Sequence, residues 1–343
     1  MSTSPTLVLA PMQDVTDLAF MRVMQQFGGP DYYVTEYFRV HTDSTLEKKI
    51  LRSITENNTG RPVFAQMIGQ DIPALVRTAD ELLQHPIAGI DLNLGCPAPV
   101  VCRKDAGGGL LRNLDHMERI IATLRDTISG KFTVKTRVGY YSHEEFNQLL
   151  DIFSKYSIDT LTIHGRTVKE RYQTPIHTNC IQHAAQSMPC PVIANGNVVD
   201  TETGLGLLQK THAHGLMIGR GAIRNPWIFD QLRDSFSGKT PQTITRSNIL
   251  TYINLLYQEI AQHTQHFDET KHVHKMKKYL VYIAQGLDDA FEYQIRRANS
   301  DTTFHQTCNA FLNNEEPIPM RPPEKSKLFC GFNALRSQQQ DDI

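Results

Sequence analysis

The chain has 343 residues, 40% of them hydrophobic, and a formal net charge of −1. That length allows one large domain with a smaller one and a core that needs no staples, while the near-neutral balance announces no nucleic-acid partner, so any such partner must be argued from where the charges sit. The six cysteines, Cys96, Cys102, Cys180, Cys190, Cys308 and Cys330, form no CxxC pair and no Cys/His grouping at zinc-finger spacing, so no metal is expected and they read as reduced thiols in a cytoplasmic protein.

In chain order, residues 1–10 carry no basic segment and too short an apolar stretch for a signal peptide. No later segment approaches the roughly 20 apolar residues of a membrane span, so no membrane association is expected. Short aliphatic or β-branched runs at 7–10, 33–35, 63–67, 89–93, 132–136, 160–164, 192–195 and 215–218 read as strands. Helical spacing lies between them, as at 114–128, where Met117, Ile120, Ile121, Leu124 and Ile128 fall on one face, and at 144–156. This alternation predicts an α/β fold, a (β/α)8 TIM barrel, with a doubly wound sheet as the alternative. Ser237-Gly238-Lys239-Thr240-Pro241 reads as a linker, after which 249–263 and 273–285 have helical periodicity. The expected organisation is a cofactor-binding catalytic barrel over 1–240, a helical domain over 241–316 and a C-terminal extension over 317–343. That extension is partly irregular, with Pro317, Pro319, Pro322, Pro323 and a polar run at 337–342.

The fourth strand runs into Asp91-Leu92-Asn93-Leu94-Gly95-Cys96-Pro97, which puts the Cys96 thiol where barrel chemistry is done and makes it a candidate catalytic acid. A lone buried cysteine beside a turn is the bland alternative. The other strand ends are polar too: Ala10-Pro11-Met12, Gln66, Asn93, Lys135 with Arg137, His164 to Arg166, Asn195-Gly196-Asn197 and Gly219-Arg220-Gly221. The last two are glycine loops of the kind that cradle phosphate, with Arg220 as a charge-assisted donor. Lys135 and His164 suit a flavin, whose reduced anionic ring a cation stabilises. Gln66 can bond the ring edge, and Pro11 and Met12 offer a flat surface. Gly107-Gly108-Gly109 lacks a phosphate-loop context and reads as a tight connection near Cys96, flexible enough for the loop to close over a substrate.

These residues resemble the tRNA-dihydrouridine synthase family. The matching blocks are Ala10-Pro11-Met12, Gly28-Gly29-Pro30, Thr35-Glu36, Asp91 to Pro97 with Gly107 to Leu111, Val134-Lys135-Thr136-Arg137, Thr162 to Thr167, Pro191 to Gly196, and Met217 to Ala222 running into Asn225-Pro226. The resemblance implies an FMN-dependent barrel, a helical domain that helps hold tRNA, NADPH as reductant, and reduction of a uridine with Cys96 protonating C5. A thiol with a reference pKa of about 8.5 is mostly protonated at neutral pH, as that task needs. The pyrimidine must leave its stack to react, so base flipping from an RNA loop is implied. The family motifs carry FMN contacts onto Pro11, Met12, Gln66, Lys135, His164, Asn195, Gly196, Asn197, Gly219 and Arg220, with Asn93 and Arg137 nearer the uridine.

Arg39, Arg103, Lys104, Arg137, Arg166, Lys169, Arg171 and Arg224 fall in or after strand-end loops, which predicts a cationic barrel mouth. Lys271-His272-Val273-His274-Lys275-Met276-Lys277-Lys278 reads by itself as a solvated helix end; the family context makes Lys271, Lys275 and Lys278 candidate tRNA contacts, with Val273, Met276 and Leu280 facing a core. Thr35 to Val40 and Lys275 to Leu280 most resemble the bacterial C-type synthases, which implies the D-loop uridine at tRNA position 16. Gln13-Asp14, Asn197 and the extension past Pro317 depart from the family pattern, and these departures bear on regiospecificity more than on chemistry. The chain is expected to act as a monomer. Two other functions fit parts of the pattern: an FMN barrel reducing a free pyrimidine or oxidising dihydroorotate, and a flavin-bearing tRNA-binding protein without turnover.

Overall fold

The computed structural model describes residues 4–262 and 268–329. The strands are β1 (Thr6–Leu9), β2 (Tyr32–Val34), β3 (Phe38–Arg39), β4 (Val63–Ile68), β5 (Gly89–Leu94), β6 (Phe132–Arg137), β7 (Thr160–His164), β8 (Val192–Asn195) and β9 (Gly215–Ile218). They hydrogen-bond in the order β2-β1-β9-β8-β7-β6-β5-β4-β3, and a further pairing of β2 with β4 closes the ring. The result is an eight-stranded parallel TIM barrel. Closure excludes the doubly wound sheet, which has two free edges. The ninth strand, β3, pairs only with Met67 and Ile68 of β4. At two residues it is too short to alternate visibly, so sequence periodicity does not reveal it.

The helices are α1 (Leu18–Gln26), α2 (Lys48–Thr55), α3 (Ile72–Leu82), α4 (Pro99–Cys102), α5 (Leu114–Thr127), α6 (Phe146–Lys155), α7 (Thr178–Ser187), α8 (Thr201–Thr211), α9 (Arg220–Arg224), α10 (Ile228–Phe236), α11 (Arg246–Gln262), α12 (Glu269–Ile283), α13 (Asp289–Ile295) and α14 (Asp301–Leu312). Gly107–Arg112 and His143–Glu145 are 3-10 turns. Helix starts follow ordinary capping chemistry. Asp71 accepts from Ala74 N at 2.8 Å to open α3, and Asn113 accepts from His116 N at 3.1 Å to open α5. Met117, Ile120, Ile121 and Leu124 of α5 are buried, as their spacing predicts.

The described chain falls into two compact units. The first holds residues 4–18, Pro30–Gly196 and Leu205–Ile218, and with them every strand. Successive residues of a barrel strand face alternately in and out. The inward set includes an apolar cluster of Val8, Ala10, Val34, Phe64, Ile193 and Met217. On β4 to β8 it becomes polar: Gln66 lies opposite Asp91, Asp91 opposite Thr133, Asn93 opposite Lys135, Arg137 opposite His164, and His164 opposite Asn195.

The second unit gathers Ala19–Gly29, Asn197–Gly204 and the chain from Gly219 onward. Compactness therefore groups 219–240 with the helices that follow, and the reason is visible in the packing. Trp227 meets Phe27 at 4.7 Å between ring centroids and Tyr252 at 6.3 Å, and Phe20 stacks on Tyr279 at 5.6 Å. Arg224 is fully buried and donates to the carbonyls of Gln285, Met320 and Pro319 at 3.0, 3.1 and 2.7 Å. Burial pulls its guanidinium down to about 10. Residues 330–343, including the polar 337–342 run, lie outside the described residues, as does residue 263 at the end of the expected 249–263 helix.

Candidate active site

A buried carboxyl starts a hydrogen-bonded chain that ends at Cys96. Asp91, 3% exposed, accepts from Gln66 Nε2 at 2.7 Å and from Thr133 Oγ1 at 2.6 Å. Burial raises its pKa above the usual carboxylate range, against the pull of those two donors and the nearby Lys135 ammonium. Gln66 Oε1 accepts from Asn93 Nδ2 at 2.8 Å, and Asn93 Oδ1 accepts from Gly95 N at 3.0 Å and Cys96 N at 2.9 Å. Side-chain amides are thus spent on shaping the turn that carries the thiol. An Asn in this role mimics a backbone turn, and each buried bond contributes about 1 kcal/mol net.

Three further contacts fix the Cys96 backbone. Gly95 O accepts from Arg137 Nε at 2.8 Å, Cys96 O accepts from Gly108 N at 3.1 Å, and Cys102 Sγ lies 3.5 Å from the same carbonyl. The glycine run is packed in a 3-10 turn instead of forming an open flexible loop. A Cβ at Gly107, where φ is +54°, would lie 3.1 Å from Cys96 Cβ, and one at Gly108 would lie 2.6 Å from Val168 Cγ2 and 2.9 Å from Cys96 O. These glycines allow close approach beneath the thiol. Cys96 itself is half-buried and free. Tyr37 neighbours Cys96, and the Arg39 guanidinium lies 5.5 Å from its ring; burial and the thiol raise the Tyr37 pKa, and Arg39 opposes the rise. Tyr37 lies inside the Thr35 to Val40 motif but has no periodicity or charge to single it out.

Lys135, half-buried, has no carboxylate in ion-pair range among the described residues. Burial first, and Arg137 second, bring its ammonium down to about 8, while Asp91 opposes. His164 is 7% exposed with its ring 5.8 Å from Tyr172, and Asn195 Nδ2 donates to Met217 O at 2.8 Å. Gly196, at φ +134°, has no room for a Cβ, which would meet Ile176 Cγ2 at 2.8 Å. Pro11 and Met12 are half-buried after β1, where Thr16 Oγ1 accepts from Met12 N at 2.8 Å. This part of the barrel offers donors and an unpartnered cation above an apolar floor. Such a donor set fits an electron-rich ring that gains negative charge.

The arginines divide. Arg137 and Arg166 turn inward at 2% and 1% exposure. Arg137 Nη1 donates to Thr167 O and Arg171 O, each at 2.8 Å, and Arg166 Nε to Thr174 O, so both brace the loop after β7 and add no charge to the surface. Arg39 and Lys104 are exposed, Arg39 facing Glu47 at 3.6 Å. In the second unit, Asn197 has φ +52°, Gly219 precedes α9, and Arg220 Nη1 donates to Lys327 O at 2.7 Å. On α12, Lys271 and Lys278 are exposed and Lys275 lies over Tyr279 at 5.2 Å, while Val273, Met276 and Leu280 are buried. Among the described residues no group of three His, Cys, Asp or Glu could hold a metal, and no helix is long and apolar enough to cross a membrane.

A family model described as "Dihydrouridine synthase (Dus)" matches residues 8–316. A "Probable tRNA-dihydrouridine synthase" from Helicobacter pylori is 32% identical over 256 residues, 74% of this chain and 77% of that relative. One from Staphylococcus aureus (strain COL) is 29% identical over 309 residues, 87% of this chain and 90% of that relative. Among solved structures, histamine dehydrogenase from Rhizobium sp. 4-9 superposes with a TM-score of 0.53 at 12% identity, over 73% of this chain and 49% of that one. The complex described as TcOYE with pHBA superposes with a TM-score of 0.51 at 10% identity, over 67% and 89%. At these identities the structural likeness shows the barrel fold alone.

Proposed function

The chain belongs to the dihydrouridine synthase family, and from that membership we propose that it reduces the C5–C6 double bond of a uridine in tRNA, with FMN as its cofactor, NADPH as reductant and Cys96 as the proton donor. The observation that carries this reading is the Asp91–Gln66–Asn93 chain, which sets the Cys96 backbone on β5, with Lys135 opposite Asn93 on β6. FMN, when bound, supplies the hydride that reaches C6. Lys135 and His164 would stabilise the negative charge such a ring gains, and Gln66, Asn195 and Gly196 would help hold it, together with Pro11 and Met12. Asn197, Gly219 and Arg220 are the residues assigned to its phosphate.

Cys96 holds its proton on Sγ until charge develops at C5 and then gives it up. Asn93 orients the thiol through the turn it caps, and Arg137 acts on the same turn through Gly95 O. Tyr37 can donate to the resulting thiolate. Arg39, Lys104, Lys271, Lys275 and Lys278 are assigned to the RNA backbone. Arg166, which braces a loop, serves the substrate indirectly. The motifs favour the D-loop uridine at position 16, and the proposal takes the chain to act as a monomer in the cytoplasm.

The test uses purified protein. The account expects a yellow protein whose released chromophore is FMN, NADPH oxidation that requires unmodified tRNA, and a Cys96→Ala variant that keeps the colour and loses turnover. Oxidation driven by a free pyrimidine or dihydroorotate and not by tRNA would move the function to the free-base reading. Turnover-independent rescue of tRNA function by Cys96→Ala would support the binding-protein reading.

A further inference from the structure

The loops after β6 and β7 carry an aromatic surface that the chemistry at Cys96 does not use. Tyr141 is 64% exposed, far more than a tyrosine at a packed position, and its ring meets that of Tyr140 edge-on at 4.6 Å. Lys169 Nζ lies 5.6 Å from the Tyr141 ring and 5.7 Å from the Tyr140 ring, while the Arg112 guanidinium covers Tyr140 at 4.9 Å. Arg112 belongs to the same 3-10 turn whose Gly108 bonds Cys96, so this surface is continuous with the loop that holds the thiol.

The surface is built rigidly. Val168 N donates to Gly139 O at 3.0 Å and Lys169 N to Tyr140 O at 3.1 Å, which ties the two loops together strand-fashion. Glu145 accepts from the backbone N–H groups of Tyr140, Tyr141 and Ser142, at 2.6 to 3.1 Å for the closest of each. The rings of His143 and His177 stack at 4.3 Å across the loops. A pre-ordered ring loses little freedom when something settles on it.

Charge identifies what would settle there. Three carboxylates of this region are occupied internally, Glu145 by those three amides, Glu170 by His177 Nε2 at 2.8 Å and Thr167 N at 2.7 Å, and Asp105 by Arg112, which leaves the exposed Glu144 as one negative charge against four cations. Lys169, Arg171, Arg103 and Lys104 have no carboxylate in ion-pair range among the described residues. An exposed tyrosine set among uncompensated cations matches the general pattern of single-stranded nucleic-acid surfaces, in which a ring stacks a base and cations track the phosphates.

We propose that Tyr141, backed by Tyr140 and Lys169, is a stacking platform for an unpaired base of the RNA that presents its uridine to the barrel mouth. This rests on the reading of tRNA as substrate. Lys169 contributes one phosphate contact, and the two tyrosines provide a sequence-tolerant aromatic face.

The experiment measures binding of unmodified tRNA to the full-length, cofactor-loaded protein by fluorescence anisotropy across a salt series. Tyr141→Ala is expected to weaken binding about 5- to 100-fold, Tyr141→Trp to preserve it, and Lys169→Gln to lower the slope of log K against log salt by about 1. Flavin absorbance and melting temperature, unchanged across the variants, exclude misfolding. Tight binding by wild type with unchanged affinity in Tyr141→Ala overturns the platform and leaves the tRNA reading standing. Wild type that fails to bind tRNA at all overturns both.

Discussion

Lys135 should destabilise the very fold that holds it. Its ammonium is brought from 10.5 to about 8, chiefly by burial, and no carboxylate pairs with it directly. A base whose folded pKa lies below its unfolded value binds fewer protons when folded, so its penalty is full below about pH 8 and is relieved as pH rises toward 10.5. At 1.36 kcal/mol per pH unit that interval corresponds to about 3 kcal/mol, and because part of the side chain keeps its water, about 2 kcal/mol is the expected share. Lys135→Met removes the charge and keeps most of the volume. Cofactor-free wild type and variant would be unfolded with urea at pH 7 and pH 10 and followed by circular dichroism, since the only tryptophan, Trp227, belongs to the second unit. The variant should be more stable by about 2 kcal/mol at pH 7, with most of that advantage gone at pH 10, and it should retain FMN poorly. A less stable variant, or an advantage that does not change with pH, would refute the idea that an unpaired buried charge is held there for a ligand.

Other perturbations test the parts around it. Cys96→Ala should cost on the order of 100- to 10,000-fold in single-turnover reduction of tRNA uridine with the flavin spectrum unchanged; a loss under tenfold would remove the thiol from its role. Asn93→Ala strands two backbone amides and the Gln66 carbonyl, and should cost about 2–4 kcal/mol in urea unfolding as well as most of the turnover; full activity would mean that the turn holds without its cap. Gly108→Ala places a methyl 2.6 Å from Val168 and 2.9 Å from the Cys96 carbonyl, so thermal melting should show a loss of about 1–3 kcal/mol. Arg224→Met leaves the carbonyls of Gln285, Pro319 and Met320 unpaired and should loosen the second unit by about 3 kcal/mol, read from Trp227 fluorescence in urea.

The barrel was legible because its parallel strands are buried on both faces, which leaves short continuous apolar runs, and each run read as a strand became one to within a residue or two. The start of α12 at Glu269 was less so. Its first turn, Glu269-Thr270-Lys271-His272, is polar and capped by Asp268, and the apolar period becomes visible only at Val273. At the site, the strand-end position of Cys96 and Lys135 could be read directly. The inward turn of Arg137 and Arg166 could not, because their acceptors are backbone carbonyls, which every residue possesses. The same holds for Gln66 and Asn93: sequence marks them as polar groups at the mouth, but only their geometry shows that they bond each other and the Cys96 turn. Gly107 to Gly109 read as freedom in the sequence and serve as space in the fold.

The most direct test of the central claim is a nucleotide-resolution map of dihydrouridine in tRNA from cells with the gene, without it, and complemented with wild type or Cys96→Ala. The account predicts loss of dihydrouridine at a D-loop site, position 16 by the motif reading, restored by wild type and not by Cys96→Ala. An unchanged map in cells that lack a second synthase, or full restoration by Cys96→Ala, would contradict it.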